Sequence, residues 1–419
     1  MNVAEQSDII IVGAGAIGLC SAFYLNEAGF SVIIVDREPE KSEATCSFGN
    51  AGMIVASHII PLAAPGVVRQ GLKWLLDPES PFSIDFRFDA NLLTWLWKFK
   101  KAANQRHMEM AAILLSELGL RSRSLYEDLS KELDFNLKTK GILMLCHLDK
   151  TLEEEIKTAA WVKELGMEAK VMSREKIQSL QPGITVSAVG GVHYPLDAHI
   201  DPNAFMSRIR EYLLAKGVRI LYDQDVKQVE IKGQKVTAIL TVSDRFEAEF
   251  YVLAAGAHSP ELVNSLPVTL PMQSGKGYSL TIHDPPKMPR IPALLIESRV
   301  AMTPLENKLR IGGTMTITGT DRSINQHKIN GILKSIPKYF PEFNSDWSEG
   351  VDVWVGLRPC SPDGLPYIGK FGKVKNLVSA TGHAMLGISL APITGKLVLQ
   401  IIKGQRTEVN INALSPDRF

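Results

Sequence analysis

The segment of residues 8–36 constrains the fold most, because it places three glycines between an apolar strand and a helix. Gly13, Gly15 and Gly18 have the spacing G-x-G-x-x-G. In such a turn the first glycine permits a tight bend, the second lets a pyrophosphate approach the backbone, and the third allows close helix-to-strand packing. The next strand ends in Asp36, whose carboxylate can accept hydrogen bonds from a ribose. The segment therefore predicts a βαβ unit that binds a dinucleotide at the amino end of its helix.

A lone G-x-G-x-x-G string also arises by chance in loops. Here the adjacent strand, the helix and the acidic residue all support dinucleotide binding. Asp36 disfavours a 2′-phosphate on the ribose, but the motif does not separate NAD from FAD. A later strand ends in Ala254, Ala255 and Gly256, small residues that would let a turn lie close to a cofactor. Ordinary strand-to-helix packing is the alternative explanation of those residues. The sequence holds no second G-x-G-x-x-G unit, so we expect substrate to reduce the cofactor directly.

Composition excludes several other classes of protein. With 419 residues, 45% of them hydrophobic, the chain can bury a large core in two or three domains. A net charge of +1 gives no electrostatic footprint for nucleic acid. The four cysteines form no C-x-x-C pair, so neither a metal site nor a disulfide framework is expected, and a reducing cytoplasm is the simplest location. Nothing in the sequence indicates an oligomeric state.

The apolar run at residues 9–25 is typical of a buried strand followed by a helix. A signal peptide or membrane helix is disfavoured because no Lys or Arg precedes the run and glycines interrupt it. Farther along, the order of strands and helices predicts an α/β (α+β) fold, with a Rossmann-type domain interleaved with a substrate domain on a mixed or antiparallel sheet. The predicted ranges are 1–57, 196–268 and 352–419 for the cofactor-binding domain, and 58–195 and 269–351 for the substrate-binding domain.

Several elements are predicted within those ranges. Residues 91–133 read as two long amphipathic helices, and residues 201–216 as a helix with Asp201 as its N-cap and Pro202 in its first turn. Strands are expected at 218–221 and 246–254. The strands of the second sheet are predicted at 141–146, 190–194, 269–282 and 309–318.

The C-terminal block is the most specific part of the chain, with GLRP at 356–359 and GHAMLG at 382–387. Together with the glycine turn, these motifs resemble the D-amino-acid oxidase superfamily of flavoproteins, nearly from end to end. SFGNAGMI at 47–54 resembles that superfamily's second flavin-contacting segment. PLAAPGVVRQGLKWLLDPESPFSI, GKGYSLTI and IGGTMTITG are most similar to its D-amino-acid dehydrogenase branch, which includes enzymes acting on cyclic substrates such as hydroxy-D-proline.

The resemblance implies FAD as the cofactor and a small amino acid as the substrate. Monomeric sarcosine oxidases of the superfamily tether FAD through a cysteine, but Gly356 is nearest that position here and Cys360 lies at another offset, so noncovalent FAD is expected. The residues nominated for the cofactor are Gly13, Ala14, Gly15, Ala16, Ile17, Gly18, Asp36, Arg37, Thr45, Cys46, Ser47, Asn50, Ala51, Gly52, Met53, Val226, Ala255, Gly256, Gly356, Arg358, His383, Leu386, Gly387, Ile388 and Ser389.

Three side chains are nominated for the substrate side. Arg358 is predicted to lie in a turn and to bind the substrate carboxylate bidentately, although an ion pair with an acid such as Asp363 is the alternative. Tyr278 is a candidate to share that carboxylate or to close the site, and a strand tyrosine half buried in the second sheet is the equal alternative. His383 is either a second stabiliser of the reduced flavin or a loop histidine.

The implied mechanism needs little acid-base chemistry. If the amine binds neutral, its α-hydrogen can pass as hydride to flavin N5, and water hydrolyses the resulting imine to a keto acid. We therefore nominate no catalytic base. The last helix, led by residues 387–389 and with Pro392 in its first turn, would direct its positive end at the flavin edge that gains negative charge.

Other functions stay open beside the D-amino-acid dehydrogenase or oxidase. A glycine- or sarcosine-type secondary-amine oxidase is the first alternative, yet Met385 replaces an arginine of glycine oxidases and Ala301 a tyrosine, which predicts a roomier, more apolar pocket. The chain could also be the flavoprotein subunit of a heteromeric amine dehydrogenase. A non-catalytic dinucleotide sensor is the remaining alternative, and it would leave Arg358 without a use.

The electron acceptor is expected to be a quinone or oxygen. A cluster of aromatic and basic residues could bring the protein to the inner face of a membrane. Its members are Trp95, Trp97, Lys98, Phe99, Lys100 and Lys101. An ordinary amphipathic helix packed on the second domain is the favoured alternative.

Overall fold

The computed structural model describes residues 5–74, 77–343 and 350–419. Residues 1–4, 75–76 and 344–349, which the predicted domain ranges include, lie outside the described residues. The chain forms two large sheets with helices between and around them, so the α/β prediction is confirmed. The helices are α1 (Ala16–Glu27), α2 (Val67–Trp74), α3 (Ala90–Ala102), α4 (Gln105–Glu132), α5 (Asp149–Glu164), α6 (Arg174–Leu180), α7 (Pro202–Ala215), α8 (Ser259–Val263), α9 (Gln326–Ser335) and α10 (Gly387–Ile402).

The first sheet carries the glycine turn. Its strands are β1 (Glu5–Val12), β2 (Val32–Val35), β9 (Arg219–Leu221), β10 (Gln228–Lys232), β11 (Lys235–Leu240), β12 (Arg245–Leu253), β18 (Tyr367–Lys370) and β19 (Leu377–Thr381). Strands β9, β2, β1, β12 and β19 are parallel neighbours in that order. Val12 is level with both Val35 and Leu253, so the carboxyl ends of three strands meet at one edge. Such an edge is where open parallel sheets bind their ligands.

The second sheet is mixed. Its strands are β4 (Phe82–Ile84), β5 (Ile142–Cys146), β6 (Lys170–Ser173), β7 (Gly190–Tyr194), β13 (Gln273–His283), β14 (Ala293–Leu295), β15 (Val300–Leu305), β16 (Lys308–Thr318) and β17 (Asp352–Cys360). Most neighbours are antiparallel, and β14 with β5 and β16 with β4 are parallel pairs. The four predicted strands of this sheet are confirmed, although β13 begins at Gln273 rather than at 269.

Strand β17 shows where the predicted domain ranges depart from the sheets. It pairs with β13 from Cys360↔Gln273 to Asp352↔Thr281, so residues 352–360 belong to the second sheet and not to the first. The physical reason is pairing with a strand some eighty residues earlier, which local sequence does not encode. A two-stranded pair, β3 (Met53–Ile54) with β8 (Ala198–His199), joins the two halves.

Five of the ten helices named above were predicted: α1, α3, α4, α7 and α10. Two helices occupy the 91–133 region, and Asp201 caps α7 by accepting a hydrogen bond from the Asn203 N–H at 2.8 Å. The prediction for α10 was wrong in one respect, because the helix already begins at Gly387 and Pro392 lies in its second turn. Among the residues that the structure describes, no helix has the length and hydropathy needed to span a bilayer.

Candidate active site

The glycine turn has the geometry that its spacing predicts. Gly13 has φ +111°, and a Cβ there would lie 2.5 Å from the Ala254 carbonyl oxygen. A Cβ on Gly18 would lie 1.9 Å from the Gly13 oxygen, so helix and strand pack too closely for any side chain. At Gly15 an added Cβ would meet only Ser47 Oγ, at 3.6 Å. The backbone at Gly15 therefore faces open space.

That space is a cavity of about 400 Å³ at the carboxyl ends of β1, β2, β12 and β19. Its size lies within the usual range for small-molecule and cofactor sites. The nominated residues that line it are Gly13, Gly15, Ala16, Ile17, Asp36, Arg37, Thr45, Cys46, Ser47, Asn50, Val226, Ala255, Gly256, His383, Gly387 and Ile388. Segments far apart in sequence thus meet around one cavity.

Nine nominated residues do not line this cavity: Ala14, Gly18, Ala51, Gly52, Met53, Gly356, Arg358, Leu386 and Ser389. Packing accounts for several of them. A Cβ on Gly52 would lie 2.1 Å from the Ile200 oxygen, and the position of a Cβ on Gly356 is filled by the Trp354 ring. Ser389 Oγ donates to the Met53 oxygen at 2.9 Å and accepts from the Val55 N–H at 3.2 Å, which ties α10 to β3.

The Asp36 carboxylate is part of the cavity wall. It accepts hydrogen bonds from the N–H groups of Ala14 at 2.6 Å and Glu38 at 2.8 Å. Burial nevertheless raises its pKa above the ordinary value, against the effect of these two bonds. A carboxylate oxygen has two lone pairs, so the hydroxyl groups of a ribose could still donate to it.

The amino end of α1 is open to an anion. The Ala16 N–H donates to Ser47 Oγ at 3.1 Å, and the first turn carries no acidic side chain. Arg37, whose guanidinium contacts His258 Nε2 at 2.9 Å, lines the same cavity. A glycine cradle, free helix amides and a ribose-facing carboxylate fit a dinucleotide with its diphosphate at α1.

The start of α10 is held in place by a buried tyrosine. Because Pro392 has no N–H, it cannot donate to the Ile388 carbonyl as a residue at i+4 ordinarily does. Tyr126 of α4 supplies the missing hydrogen bond, because its hydroxyl donates to the Ile388 oxygen at 2.6 Å. Both Tyr126 and Ile388 are buried. The helix end that lines the cavity is thus braced from α4.

Arg358 lies on strand β17 and not in a turn, which corrects the sequence prediction. Its guanidinium crosses Gly277 of β13, where an added Cβ would lie 2.3 Å from Arg358 Cζ, and Nη1 donates to the Thr314 carbonyl at 2.6 Å. Asp363 pairs with Arg418 instead, at 2.7 Å. No acidic side chain among the described residues forms an ion pair with Arg358, so its charge is available to a ligand.

Thr314 is strained at this point. Its φ is +57°, a rare value for a β-branched residue, and it lies where the pairing of β13 with β16 shifts register beside Gly277. Such strain persists only where surrounding structure fixes it, and it concentrates at functional sites. Here the distortion directs a carbonyl oxygen at the Arg358 guanidinium.

Tyr278 is not positioned beside Arg358. It is buried with Leu280 and Ile282 in the core beneath the sheet, and it follows Gly277, so its side chain leaves the opposite face of β13. Its hydroxyl accepts from the Asn325 N–H at 2.9 Å. This placement agrees with the structural alternative for Tyr278, except that the ring is fully and not half buried.

His383 lines the cavity as a neutral side chain. Burial lowers its pKa to about 3, and its Nε2 contacts Thr394 Oγ1 at 2.9 Å. His383 also forms a β-bridge with Cys360, so the loop at 382–386 is joined to the end of β17. The lowered pKa favours the neutral ring at neutral pH, in which form it can act as a hydrogen-bonding group.

Two arginines at the site were missed by the sequence. Arg310 of β16 is buried and donates to the Phe48 oxygen at 2.9 Å, which fixes the segment that resembles the flavin-contacting one. Arg322 lines the cavity itself. A basic residue inside the otherwise buried strand β16 is the one signal that could have revealed Arg310.

Comparisons with known proteins agree with this geometry. The FAD dependent oxidoreductase family model matches residues 8–401. A D-amino acid dehydrogenase of Vibrio vulnificus is 31% identical over 406 residues, which cover 95% of this chain and 96% of that protein. One from Helicobacter pylori is 29% identical over 411 residues, 98% of each. Glycine oxidase from Geobacillus kaustophilus superposes with a TM-score of 0.80 over 99% of this chain and 100% of that chain, at 21% identity, a likeness of fold.

Proposed function

The chain belongs to the FAD dependent oxidoreductase family, and from that premise we propose that it oxidises a small neutral or cyclic D-amino acid. D-alanine and D-proline or hydroxy-D-proline represent the class. FAD is the cofactor, and the cavity with its glycine turn and Asp36 is the proposed site for it. Among the relatives, those at about 30% identity over nearly the whole chain are called D-amino acid dehydrogenases, which supports this choice of substrate.

The observation that carries the proposal is the free charge of Arg358. Its neighbours Leu357 and Pro359 line the cofactor cavity, and although the Arg358 side chain is not part of that lining, its charge acts on Cys46, which is. The guanidinium is held over Gly277 by the Thr314 carbonyl, which leaves the other donors of the fork for a carboxylate. An amino acid bound in this way would be fixed at one end.

The remaining wall suits a substrate with a side chain. Ala301 of β15 pairs directly with Gly312 of β16, and a Cβ added to Gly312 would meet the Ala51 Cβ at 3.5 Å. These small residues leave room on the face that carries Arg310. Met385 is 42% exposed in the loop at 382–386, and it offers no second cation. Both features favour an amino acid larger than glycine.

The chain's own groups would orient the substrate and not transfer its protons. Bound noncovalently, FAD would supply the acceptor for the α-hydrogen, transferred as a hydride. His383 is neutral and is bonded to Thr394, and no group on this wall is nominated as a base. Arg358 would hold the carboxylate so that the Cα–H bond is directed at the cofactor, and the imine released would hydrolyse to a keto acid.

Anaerobic bleaching of the holoenzyme tests the proposal. Purified protein is mixed without oxygen with D- and L-alanine, D- and L-proline, hydroxy-D-proline, glycine and sarcosine, and the flavin absorbance is followed. Loss of absorbance is expected with the D-amino acids. Bleaching by the L-forms alone, or by glycine and sarcosine alone, would contradict the assigned substrate class. No bleaching without a second subunit would indicate a heteromeric enzyme.

The Arg358→Ala variant tests the role of the guanidinium. We expect kcat/KM to fall by about 30- to 5000-fold, because truncating a charged pair of this kind costs about 2 to 5 kcal/mol. The flavin should stay bound with its ordinary spectrum. Loss of FAD together with activity, or an unchanged kcat/KM, would count against the assignment.

We further propose that electrons leave at a membrane surface, to a quinone. Of the predicted cluster, Trp95 and Phe99 are buried and stacked at 5.0 Å, whereas Trp97 is exposed with Lys101 above its ring at 5.4 Å. Among the described residues of α2, α3 and the segment between them, the exposed large apolar side chains are Leu72, Phe86, Phe88, Leu93 and Trp97. Exposed apolar side chains together with basic residues are typical of interfacial binding.

Cosedimentation with anionic liposomes tests this docking. The Phe88→Ser/Trp97→Ser variant should lose at least half of the bound fraction at low salt. Leu214→Ser, which removes an exposed leucine on α7, is the matched control and should bind as the unaltered protein does. If the unaltered protein stays in the supernatant, membrane docking is wrong, and oxygen becomes the favoured acceptor.

A further inference from the structure

Arg322 lies at the wall of the cofactor cavity although it comes from the second sheet. It is part of the segment 319–325, which connects β16 to α9. Arg37 and Glu38, which follow β2 of the first sheet, line the same part of the cavity. The Arg322 side chain is 33% exposed, and its Nη2 lies 4.0 Å from the Glu38 carboxylate. No motif in the sequence singles this residue out.

Arg322 and Arg37 approach the same carboxylate, in a cavity lining that also includes Lys227, Asp225 and Glu261. Arg37 Nε lies 3.2 Å from the Glu38 carboxylate that Arg322 also approaches, so two guanidinium groups share one acid. The Asp36 carboxylate, in the same lining, accepts two backbone N–H bonds. The long 4.0 Å contact with Glu38 leaves donors of the Arg322 guanidinium available to an anionic ligand.

Arg322 is also close to the glycine turn. Its charge lowers the pKa of the Cys46 thiol, in opposition to the larger effect of burial, which raises it. Cys46 precedes Ser47, whose Oγ accepts the Ala16 N–H at the first turn of α1. Arg322 is therefore within electrostatic reach of the helix end at which a diphosphate would bind.

The segment that carries Arg322 is fixed from β13. The buried Lys276 donates to Asp321 Oδ2 at 2.6 Å, and the Ser323 N–H donates to Asp321 Oδ1 at 3.0 Å. At the other end, the Asn325 N–H donates to the Tyr278 hydroxyl at 2.9 Å. Lys276 and Tyr278 thus hold the backbone on both sides of Arg322. A guanidinium presented in this way loses little conformational freedom when it binds.

We infer that Arg322 binds the diphosphate of FAD from the side opposite the glycine turn. The planar fork of arginine matches two phosphate oxygens, and the cofactor would then tie the second sheet to the first. The inference rests on the proposed assignment of this cavity to FAD. It adds a cofactor ligand that neither the sequence motifs nor the family model assigns.

Titration of the full chain, stripped of cofactor, tests the inference. FAD, ADP and riboflavin are added in turn and tryptophan fluorescence is followed. Arg322→Gln should raise the Kd for FAD and for ADP by about 10- to 100-fold and change the Kd for riboflavin less than twofold, since riboflavin carries no phosphate. Arg322→Lys should recover part of the affinity. Arg290→Gln, which removes an exposed arginine elsewhere, should match the unaltered chain.

A second variant separates this inference from the assignment of the cavity. Gly15→Val should abolish FAD and ADP binding, because its side chain would enter the space at the turn. If Gly15→Val abolishes binding but Arg322→Gln leaves both Kd values within twofold, the role of Arg322 is wrong and the cavity assignment stands. If Gly15→Val has no effect on binding, both the assignment of the cavity to FAD and the role of Arg322 are wrong. A raised KM for the amino acid with an unaltered FAD affinity would place Arg322 at the substrate and overturn the inference.

Discussion

The two walls of the candidate active site are built from different parts of the polypeptide. The cofactor side includes the backbone of a glycine turn, with Gly13, Gly15 and the amino ends of α1 and α10 at the cavity. The proposed substrate side depends on single side chains on paired strands, Arg310 on β16 and Arg358 on β17. A backbone site depends on local spacing, whereas a side-chain site depends on the register of strands far apart in sequence. Different substitutions should therefore impair cofactor binding and substrate oxidation.

On the cofactor wall, the largest effect is expected from Gly18→Ala. The new Cβ would lie 1.9 Å from the Gly13 oxygen, and backbone must move to admit it. We expect a loss of about 3 kcal/mol or more in the free energy of unfolding, at the upper end for overpacking, and loss of FAD. Urea unfolding of the cofactor-free chain measures the first effect.

Gly15→Ala is the matched control, three residues away in the same turn. Its Cβ would have only Ser47 Oγ as a neighbour, at 3.6 Å, so the unfolding midpoint should not change. FAD affinity should nevertheless fall, because the Cβ enters the cavity. If both substitutions lower the free energy of unfolding equally, the distance from an added Cβ to its neighbours does not determine the loss of stability, and the prediction is wrong.

On the substrate wall, Gly277→Ala should be the next most damaging change. Its Cβ would lie 2.3 Å from Arg358 Cζ and would displace the guanidinium. A misplacement of this size lowers kcat/KM by about 10²-fold, while FAD affinity should hold. Gly319→Ala, with no atom closer than 3.9 Å to its Cβ, is the control for activity and stability. An active Gly277→Ala enzyme would argue that Arg358 does not touch substrate.

The brace on α10 offers a double-mutant cycle. Tyr126→Phe leaves the buried Ile388 oxygen without a donor, and we expect a loss of about 1 to 3 kcal/mol in the free energy of unfolding. Pro392→Ala returns an N–H to that carbonyl. In the Pro392→Ala background, Tyr126→Phe should therefore cost measurably less. Simple additivity of the two substitutions would mean that the tyrosine and the proline are not coupled.

The buried contact between Asp197 and Ser57 should give the smallest effect. Asp197 accepts from the Ser57 N–H at 3.0 Å and from Ser57 Oγ at 2.5 Å, and burial raises its pKa from 3.8 to about 7. Because the folded-state pKa is the higher one, the stability from this group is fully present below pH 3.8 and is lost as the pH rises through about 7.

Asp197→Asn should remove this dependence. The fall in unfolding free energy between about pH 5 and pH 8 should shrink by about 1 to 2 kcal/mol, as urea midpoints at several pH values would show. Glu153→Gln, at an exposed acid, should leave the pH profile as it is. If the Asn variant keeps the slope, another group is responsible for it.

The sequence allowed much of the cofactor wall to be predicted, since Gly13, Gly15 and Asp36 act through spacing alone. The N-cap at Asp201 could be predicted for the same reason. Arg358 was found through its motif but was placed in a turn, because its pairing with β13 is not encoded nearby. For Tyr278 the sequence left two equal alternatives, and its burial beneath the second sheet favours the structural one.

The first and last helices of the cofactor wall, α1 and α10, pack so closely that a Cβ on Gly395 would lie 2.5 Å from the Cys20 oxygen. During synthesis, α1 leaves the ribosome some 370 residues before α10 does. The apolar face of α1, which includes Leu19 and Cys20, therefore stays without its final packing partner, α10, until almost the whole chain has been synthesised. A nascent chain interrupted before Gly387 would therefore lack one end of the cavity altogether.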